Sequence, residues 1–206
     1  MNCTACNAEL KHGAATCLEC GAAVAVPAPA TRVFGDYVKL AIRIVQLDET
    51  AALDAANDPG ATLMAVAFVA ISGMAPVIGA LNPFILPFTL SILIAHSLVV
   101  TGVVHLCTQA LGGKGSFAAL YRAQGLCYIV GWTTAVPILG VLVAPLLSLI
   151  YTVYLVNNVR IVHRVPLVHA IAAGLLSLAV VAGAMLLAVM TLGLGFFAVV
   201  LTVFHH

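Results

Sequence analysis

Acidic residues are absent from most of this chain. All seven Asp and Glu residues fall within the first 58 positions, and residues 59–206 contain four cations but no carboxylate. This absence excludes paired-carboxylate catalysis, a Ser-His-Asp triad and a carboxylate proton relay from the longer, C-terminal part of the chain. We therefore predict a protein that is not an enzyme.

Charge of either sign is scarce. Only 7% of the 206 residues are charged and 63% are apolar, whereas about 25% of the residues in an ordinary soluble domain are charged. The net charge is +1 and no basic run is interleaved with aromatic residues, so nucleic acid is not an expected partner. The composition predicts an all-α polytopic membrane protein whose main partner is the lipid bilayer.

Four cysteines near the N-terminus have the spacing of a metal site. Cys3 and Cys6 are separated by two residues, and so are Cys17 and Cys20, with ten residues between the pairs. Two such pairs complete the tetrahedral sulfur shell that structural zinc prefers. We predict a zinc ribbon over residues 1–23 with a structural Zn²⁺ bound by these four residues. Two disulfides, or thiols in a disordered tail, are the alternatives.

A helical segment over residues 32–58 is expected to follow an Ala/Pro linker at 24–31. Its apolar residues recur at intervals of three and four, as in an amphipathic helix: Phe34, Tyr37, Val38, Ala41, Ile42 and Val45. This helix either lies on the cytoplasmic leaflet or packs against the helix bundle or the ribbon. A second short helix is expected from Glu49 to Ala56.

Long apolar stretches in residues 59–206 predict a bundle of five transmembrane helices. A stretch of about 20 apolar residues crosses a hydrocarbon core of about 30 Å. The first span is Ala61–Leu81 and the second is Phe84–Leu111. The 41 residues of Phe117–Asn157 are too long for one crossing and predict a hairpin, bent at Pro137–Gly140 or at Pro145. The fifth span runs from Leu167 to about Leu192, and residues 193–206 either extend it or fold back.

The distribution of cations predicts the orientation of this bundle. With five spans, all eight Lys and Arg residues lie on one side: Lys11, Arg32, Lys39, Arg43, Lys114, Arg122, Arg160 and Arg164. The positive-inside rule then places the N-terminus in the cytoplasm and the C-terminus outside. The cysteine pairs would lie in the reducing compartment, where metal binding is favoured over disulfides.

Polar residues inside the apolar region have two interpretations each. Ser97, Thr101, His105 and Thr108 form one stripe on the second span, either a proton or metal path or interhelical hydrogen bonds, and the second is favoured because no acid is available. Asn157, Asn158, Arg160, His163, Arg164 and His169 either bind a lipid phosphate or anchor helix ends at the interface. Residues 112–116, Gly-Gly-Lys-Gly-Ser, lack the spacing of a phosphate loop and predict a tight turn with Ser116 as the N-cap of the next helix.

Three sequence features together resemble the Yip (Ypt-interacting protein) domain family. They are GGKGSF at 112–117, the apolar hairpin with Pro137, Gly140 and Pro145, and VRIVHRVPLVHAI at 159–171. The likeness covers roughly residues 34–192 and implies a five-helix membrane domain with a cytoplasmic N-terminus. Eukaryotic members are implied to act in vesicle traffic with Rab-type GTPases, but an Ala-rich chain with a zinc ribbon in front is more typical of a bacterial cytoplasmic membrane protein.

The leading functional hypothesis is a non-enzymatic membrane scaffold. Its cytoplasmic ribbon or amphipathic helix would recruit a protein partner or organise the bilayer. The alternatives are a permease or channel for a small solute that uses the His105 stripe, and a membrane sensor that responds to zinc.

Overall fold

The computed structural model describes Cys6, residues 32–80, Phe84 and residues 86–183. The chain divides into two compact units, Met1–Arg32 and Val33–His206. The described residues of the second unit form helices and the turns that join them, and none of these residues is in a strand. The helices are α1 (Phe34–Val45), α2 (Glu49–Asn57), α3 (Ala61–Ala80), α4 (Leu86–Ala110), α5 (Phe117–Leu126), a 3-10 helix (Cys127–Ala135), α6 (Pro137–His163) and α7 (Leu167–Gly183).

Three of these helices are long and apolar enough to cross a membrane. They are α3, α4 and the Leu146–His163 part of α6, and α7 is a shorter apolar helix. The described residues are therefore all-helical, as predicted, and three of their helices are candidates for membrane spans by length and composition, while the count of five spans stays a prediction. The predicted loop at Asn82-Pro83 and the tail at 193–206 lie outside the described residues.

The predicted hairpin in Phe117–Asn157 bends one residue earlier than expected. Val136 has extended backbone angles, φ −86° and ψ 113°, and Pro137 is the first residue of α6. A residue before proline is disfavoured in the helical region, whereas proline at the first helical position loses no hydrogen bond. Pro145, the other candidate for the bend, lies inside α6.

The amphipathic helix α1 packs against other helices of the protein. Its apolar face buries Tyr37, Leu40, Ala41 and Ile44, in one cluster with residues of α2, α3, the α5/3-10 segment and α6. At the start of α1, the ring of Phe34 stacks on that of Trp132, with centroids 6.5 Å apart. Of the two placements left open by the sequence, the structure therefore has the one in which the apolar face is covered by protein.

Small residues bring α3 close to the α5/3-10 segment. A Cβ added at Gly125 would lie 2.5 Å from the Cβ of Ala65, and Gly131 lies against Ser72 in the same way. The indole Nε1 of Trp132 donates a hydrogen bond to the Phe68 carbonyl oxygen, at 3.4 Å. Close backbone approach through small residues is typical of helix contacts in membranes.

Candidate functional site

The turn at residues 112–116 joins α4 to α5 as the sequence predicts. Gly112 has φ +89°, a left-handed conformation that glycine adopts without strain. The amide of Gly112 donates to the Gln109 carbonyl oxygen and the amide of Gly113 to that of Thr108, both at 2.9 Å. The hydroxyl of Ser116 accepts a hydrogen bond from the Ala119 amide at 3.2 Å, so the predicted N-cap is confirmed.

The same turn packs directly onto the C-terminal end of α6. The Lys114 amide donates to the His163 carbonyl oxygen at 3.2 Å. A Cβ added at Gly115 would lie 2.6 Å from the Val162 carbonyl oxygen, and one added at Gly113 would lie 3.0 Å from His163 Nδ1. Because the amides of Gly112, Gly113 and Lys114 donate to carbonyl groups of the protein, these three groups are not available to a phosphate.

Two histidines meet beneath this turn. His105 Nδ1 of α4 and His163 Nε2 of α6 are 3.3 Å apart, and the edge of the Phe117 ring faces His105, with ring centroids 6.0 Å apart. His163 is 1% exposed, and its Nδ1 has no hydrogen-bond partner among the described residues. The two rings share one hydrogen bond, whose donor depends on their tautomers, and it ties α4 to the end of α6.

The polar stripe on α4 is buried against neighbouring helices. Ser97, Thr101 and Thr108 are each at most 2% exposed, while His96 is exposed on another face of the helix. The Ser97 hydroxyl donates to the Ile94 carbonyl oxygen at 2.8 Å and the Thr108 hydroxyl to that of Val104 at 2.7 Å. The Ser97 and Thr108 hydroxyls are therefore used within α4, whereas the stripe makes interhelical contacts through Ser97, 3.4 Å from the Tyr121 hydroxyl, and through His105 with His163.

The polar residues after Asn157 do not form one site. His163 and Asn158 are buried, whereas Arg164 and His169 are exposed. The guanidinium of Arg160 contacts the carboxylate of Glu49 in α2. These positions therefore divide into interior contacts, a surface ion pair and exposed side chains.

Gln124 and Asn158 form a buried polar contact that sequence reasoning missed. Asn158 Nδ2 donates to Gln124 Oε1 at 3.0 Å and lies 3.4 Å from the Cys127 sulfur atom. Cys127 is buried, while Cys107 is half-buried. A glutamine inside an apolar run needs a polar partner, and this was the available signal.

Two further contacts tie α1 and α2 to the longer helices. The guanidinium of Arg122 in α5 donates to Thr62 Oγ1 at 2.7 Å and to the Ala56 carbonyl oxygen at 3.0 Å. The Tyr37 hydroxyl donates to Asp58 Oδ2 at 3.0 Å. The sequence reasoning used Arg122 only as a topology signal and missed its role in holding the last turn of α2.

Asp48 is the N-cap of α2 and is charged at neutral pH. Its carboxylate accepts hydrogen bonds from the Thr50 and Ala51 amides and from the guanidinium of Arg43. The Thr50 hydroxyl also donates to Asp48 Oδ1, at 2.7 Å, and this hydrogen bond, followed by that from Arg43, holds the pKa of Asp48 well below its usual range. The segment between α1 and α2 is therefore stabilised by an ionised carboxylate.

The predicted zinc site lies almost entirely outside the described residues. Cys6 is exposed in a turn, and Cys3, Cys17 and Cys20 are not described. Within the part of the chain that is described, no group of three or more His, Cys, Asp or Glu residues could hold a metal ion. The structural Zn²⁺ on these four cysteines remains a prediction from their spacing.

Comparison with known proteins found no protein-family model, no curated protein and no solved structure that matches this chain.

Proposed function

We propose that this chain is a non-enzymatic integral membrane protein that presents a cytoplasmic zinc ribbon to a protein partner. The ribbon and its linker precede α1, and α1 and α2 are fixed to the long apolar helices. The fold would then act as a membrane anchor that holds the attachment point of the ribbon at a defined place.

The observation that carries this proposal is the docking of α1 and α2. The apolar face of α1 is buried against the helices, and Arg122 hydrogen-bonds the last turn of α2. The Arg160–Glu49 ion pair adds a third attachment. A helix that only lay on the surface of the leaflet would not receive a hydrogen bond from a partly buried side chain of another helix, as the Ala56 carbonyl group of α2 does from Arg122.

Five spans are the topology that we propose for the bundle. The segment Phe117–Ala135 combines ten α-helical and nine 3-10 residues, which extend over about 33 Å at about 1.5 and 2.0 Å per residue. That length matches a hydrocarbon core of about 30 Å. With α7 as the fifth span, every Lys and Arg lies on the side of the N-terminus, which we assign to the cytoplasm.

A Yip-like arrangement is part of the proposal. Two of the three segments that carry the resemblance, 112–117 and 159–171, are in contact through the Lys114 amide and the His163 carbonyl oxygen. Their contact supports a common architectural role for the two motifs. A partner from the Rab class would be an analogy of fold alone, and we do not include it.

The packing of the α4 stripe favours the scaffold over the permease. Hydroxyl groups that line a solute path should point into open space, but those of Ser97 and Thr108 donate to carbonyl groups of their own helix. Zinc sensing differs from recruitment in requiring reversible loss of the metal.

Proximity labelling in cells would test the recruitment proposal. A labelling enzyme is fused to the N-terminus of the full chain, and the Cys3→Ser/Cys17→Ser variant is compared with Cys107→Ser as a matched control outside the ribbon. The double variant should lose its zinc, measured on the purified protein, together with a specific set of neighbours, and the control should retain both. An unchanged set of neighbours after loss of zinc would contradict recruitment by the ribbon.

A further inference from the structure

A large cavity lies between α4, the α5/3-10 segment, α6 and α7. Its volume is about 440 Å³. None of the described residues that line it is an Asp, Glu, Lys or Arg, and most of its wall is formed by aliphatic and aromatic side chains. The cavity is therefore suited to an uncharged, largely apolar occupant.

The cavity is open on one side, because six of the residues that line it are exposed: His96, Ser148, Thr152, Ile171, Leu175 and Leu178. Its volume is roughly three times that of an engineered apolar cavity of about 150 Å³ that binds small apolar molecules. Lipid chains are the apolar molecules that meet such an opening in a membrane, so a lipid chain is the occupant that the lining favours.

The shape and the mouth of the cavity point to a lipid chain. On α7 the lining extends from Ile171 to Val181, which is about 15 Å at about 1.5 Å per residue, or half of a hydrocarbon core of about 30 Å. Leu175 and Leu178, which also line it, are 64% and 67% exposed. In the membrane arrangement proposed above, this side opens to the hydrocarbon of the bilayer.

Polar side chains interrupt this apolar lining at eight positions: His96, Thr101, Gln124, Tyr128, Ser148, Tyr151, Thr152 and Ser177. Gln124 Oε1 accepts the hydrogen bond from Asn158 Nδ2 at 3.0 Å, and the hydroxyls of Thr152 and Ser177 donate to carbonyl oxygens of their own helices. In the proposed topology Gln124 lies seven residues, or about 10 Å, inside the span that begins at Phe117, so it faces an acyl chain and not an ester group at the interface.

We propose that this cavity binds one acyl chain of a phospholipid from the cytoplasmic leaflet. The proposal rests on the membrane topology proposed above and is independent of the zinc ribbon. It assigns to the bundle a lipid site that neither the ribbon nor the turn at 112–116 requires.

Photocrosslinking would test the site on the full chain in lipid nanodiscs. The probe is a phosphatidylcholine with a diazirine in one acyl chain, and crosslinked peptides are identified by mass spectrometry. Thr152→Trp places an indole at the open side of the cavity, because Thr152 is an exposed residue of its lining, and its hydroxyl donates to the Ser148 carbonyl oxygen of its own helix. Val153→Trp is the matched control, because Val153 is 49% exposed and is not among the lining residues.

The wild-type protein should crosslink at residues 171–181, and Thr152→Trp should reduce this yield by about tenfold while Val153→Trp leaves it unchanged. Equal yields from the two tryptophan variants would overturn the site, because they would show general contact with annular lipid or an already filled cavity. Crosslinks at Leu149, which is 64% exposed, report insertion in lipid, so their presence separates failure of this site from failure of the membrane topology.

Discussion

Replacing Gly115 by alanine tests the role of the turn in holding α5 against α6. The added Cβ would lie 2.6 Å from the carbonyl oxygen and 2.9 Å from the carbonyl carbon of Val162. These are backbone atoms at the end of a helix, so they cannot rotate away as a side chain would. Overpacking of this kind costs about 1–3 kcal/mol, or a fall in Tm of about 2–12 °C for a domain of this size.

Thermal unfolding of the purified protein in detergent would measure this effect. Gly35→Ala is the matched control, because nothing lies within 4 Å of a Cβ added there and alanine is the better helix former by about 1 kcal/mol. Gly115→Ala should therefore lower the Tm and Gly35→Ala should leave it unchanged or raise it.

The double variant Gly115→Ala/Val162→Ala provides a sharper check. If the clash is with the backbone carbonyl group, then shortening the side chain of Val162 should not restore stability. Equal Tm values for Gly115→Ala and Gly35→Ala would refute the close contact between the turn and α6.

Three further predictions concern single contacts. Arg122→Ala should lower the unfolding free energy by about 1–3 kcal/mol, because a partly buried carbonyl oxygen of α2 loses its donor. Lys39→Ala, at an exposed site, should change the unfolding free energy little. Chemical denaturation measures both free energies, and equal losses would contradict the contact between Arg122 and α2. The pKa of Asp48 is lower in the folded than in the unfolded state, so its stabilisation of α2 is present above the usual pKa of about 4 and is lost as the pH falls through the folded-state value. Hydrogen exchange of the α2 amides, relative to their intrinsic rates, should therefore accelerate in acid. Asp48→Asn should weaken this pH dependence, and an identical dependence in the variant would refute the role of Asp48. Gln124→Leu and Asn158→Leu should each lower the unfolding free energy by more than half of the loss in the double variant, because each single variant leaves a buried polar group without its partner. Chemical denaturation measures the three losses, and strictly additive values would argue against the hydrogen bond between the two residues.

Local sequence signals predicted the helices and the turn well. The period of apolar residues in α1, the N-cap at Ser116 and the glycine at 112 act through contacts within a few residues, so the sequence contains the information for them. The same holds for Pro137, which is the first residue of α6 and disfavours a helical conformation of the residue before it. The bend lies one residue earlier than the sequence predicts.

Contacts between distant residues could not be read from the sequence. His105 and His163 are 58 positions apart, and nothing in either segment indicates that the two rings meet. The burial of α1 was equally open, because an amphipathic pattern reports an apolar neighbour without distinguishing lipid from protein. Nor does the segment at 127–135 contain a local signal for a 3-10 helix, so this conformation arises from tertiary contact with α3.

The side on which the C-terminus lies tests the central claim, a five-span bundle with a cytoplasmic N-terminus, most directly. A reporter active only outside the cytoplasm is fused after His206, and the same reporter fused after Lys114 marks the cytoplasmic turn as a control. The account predicts activity for the fusion at His206 and none for the fusion at Lys114. A cytoplasmic reporter at His206 would contradict the five-span topology.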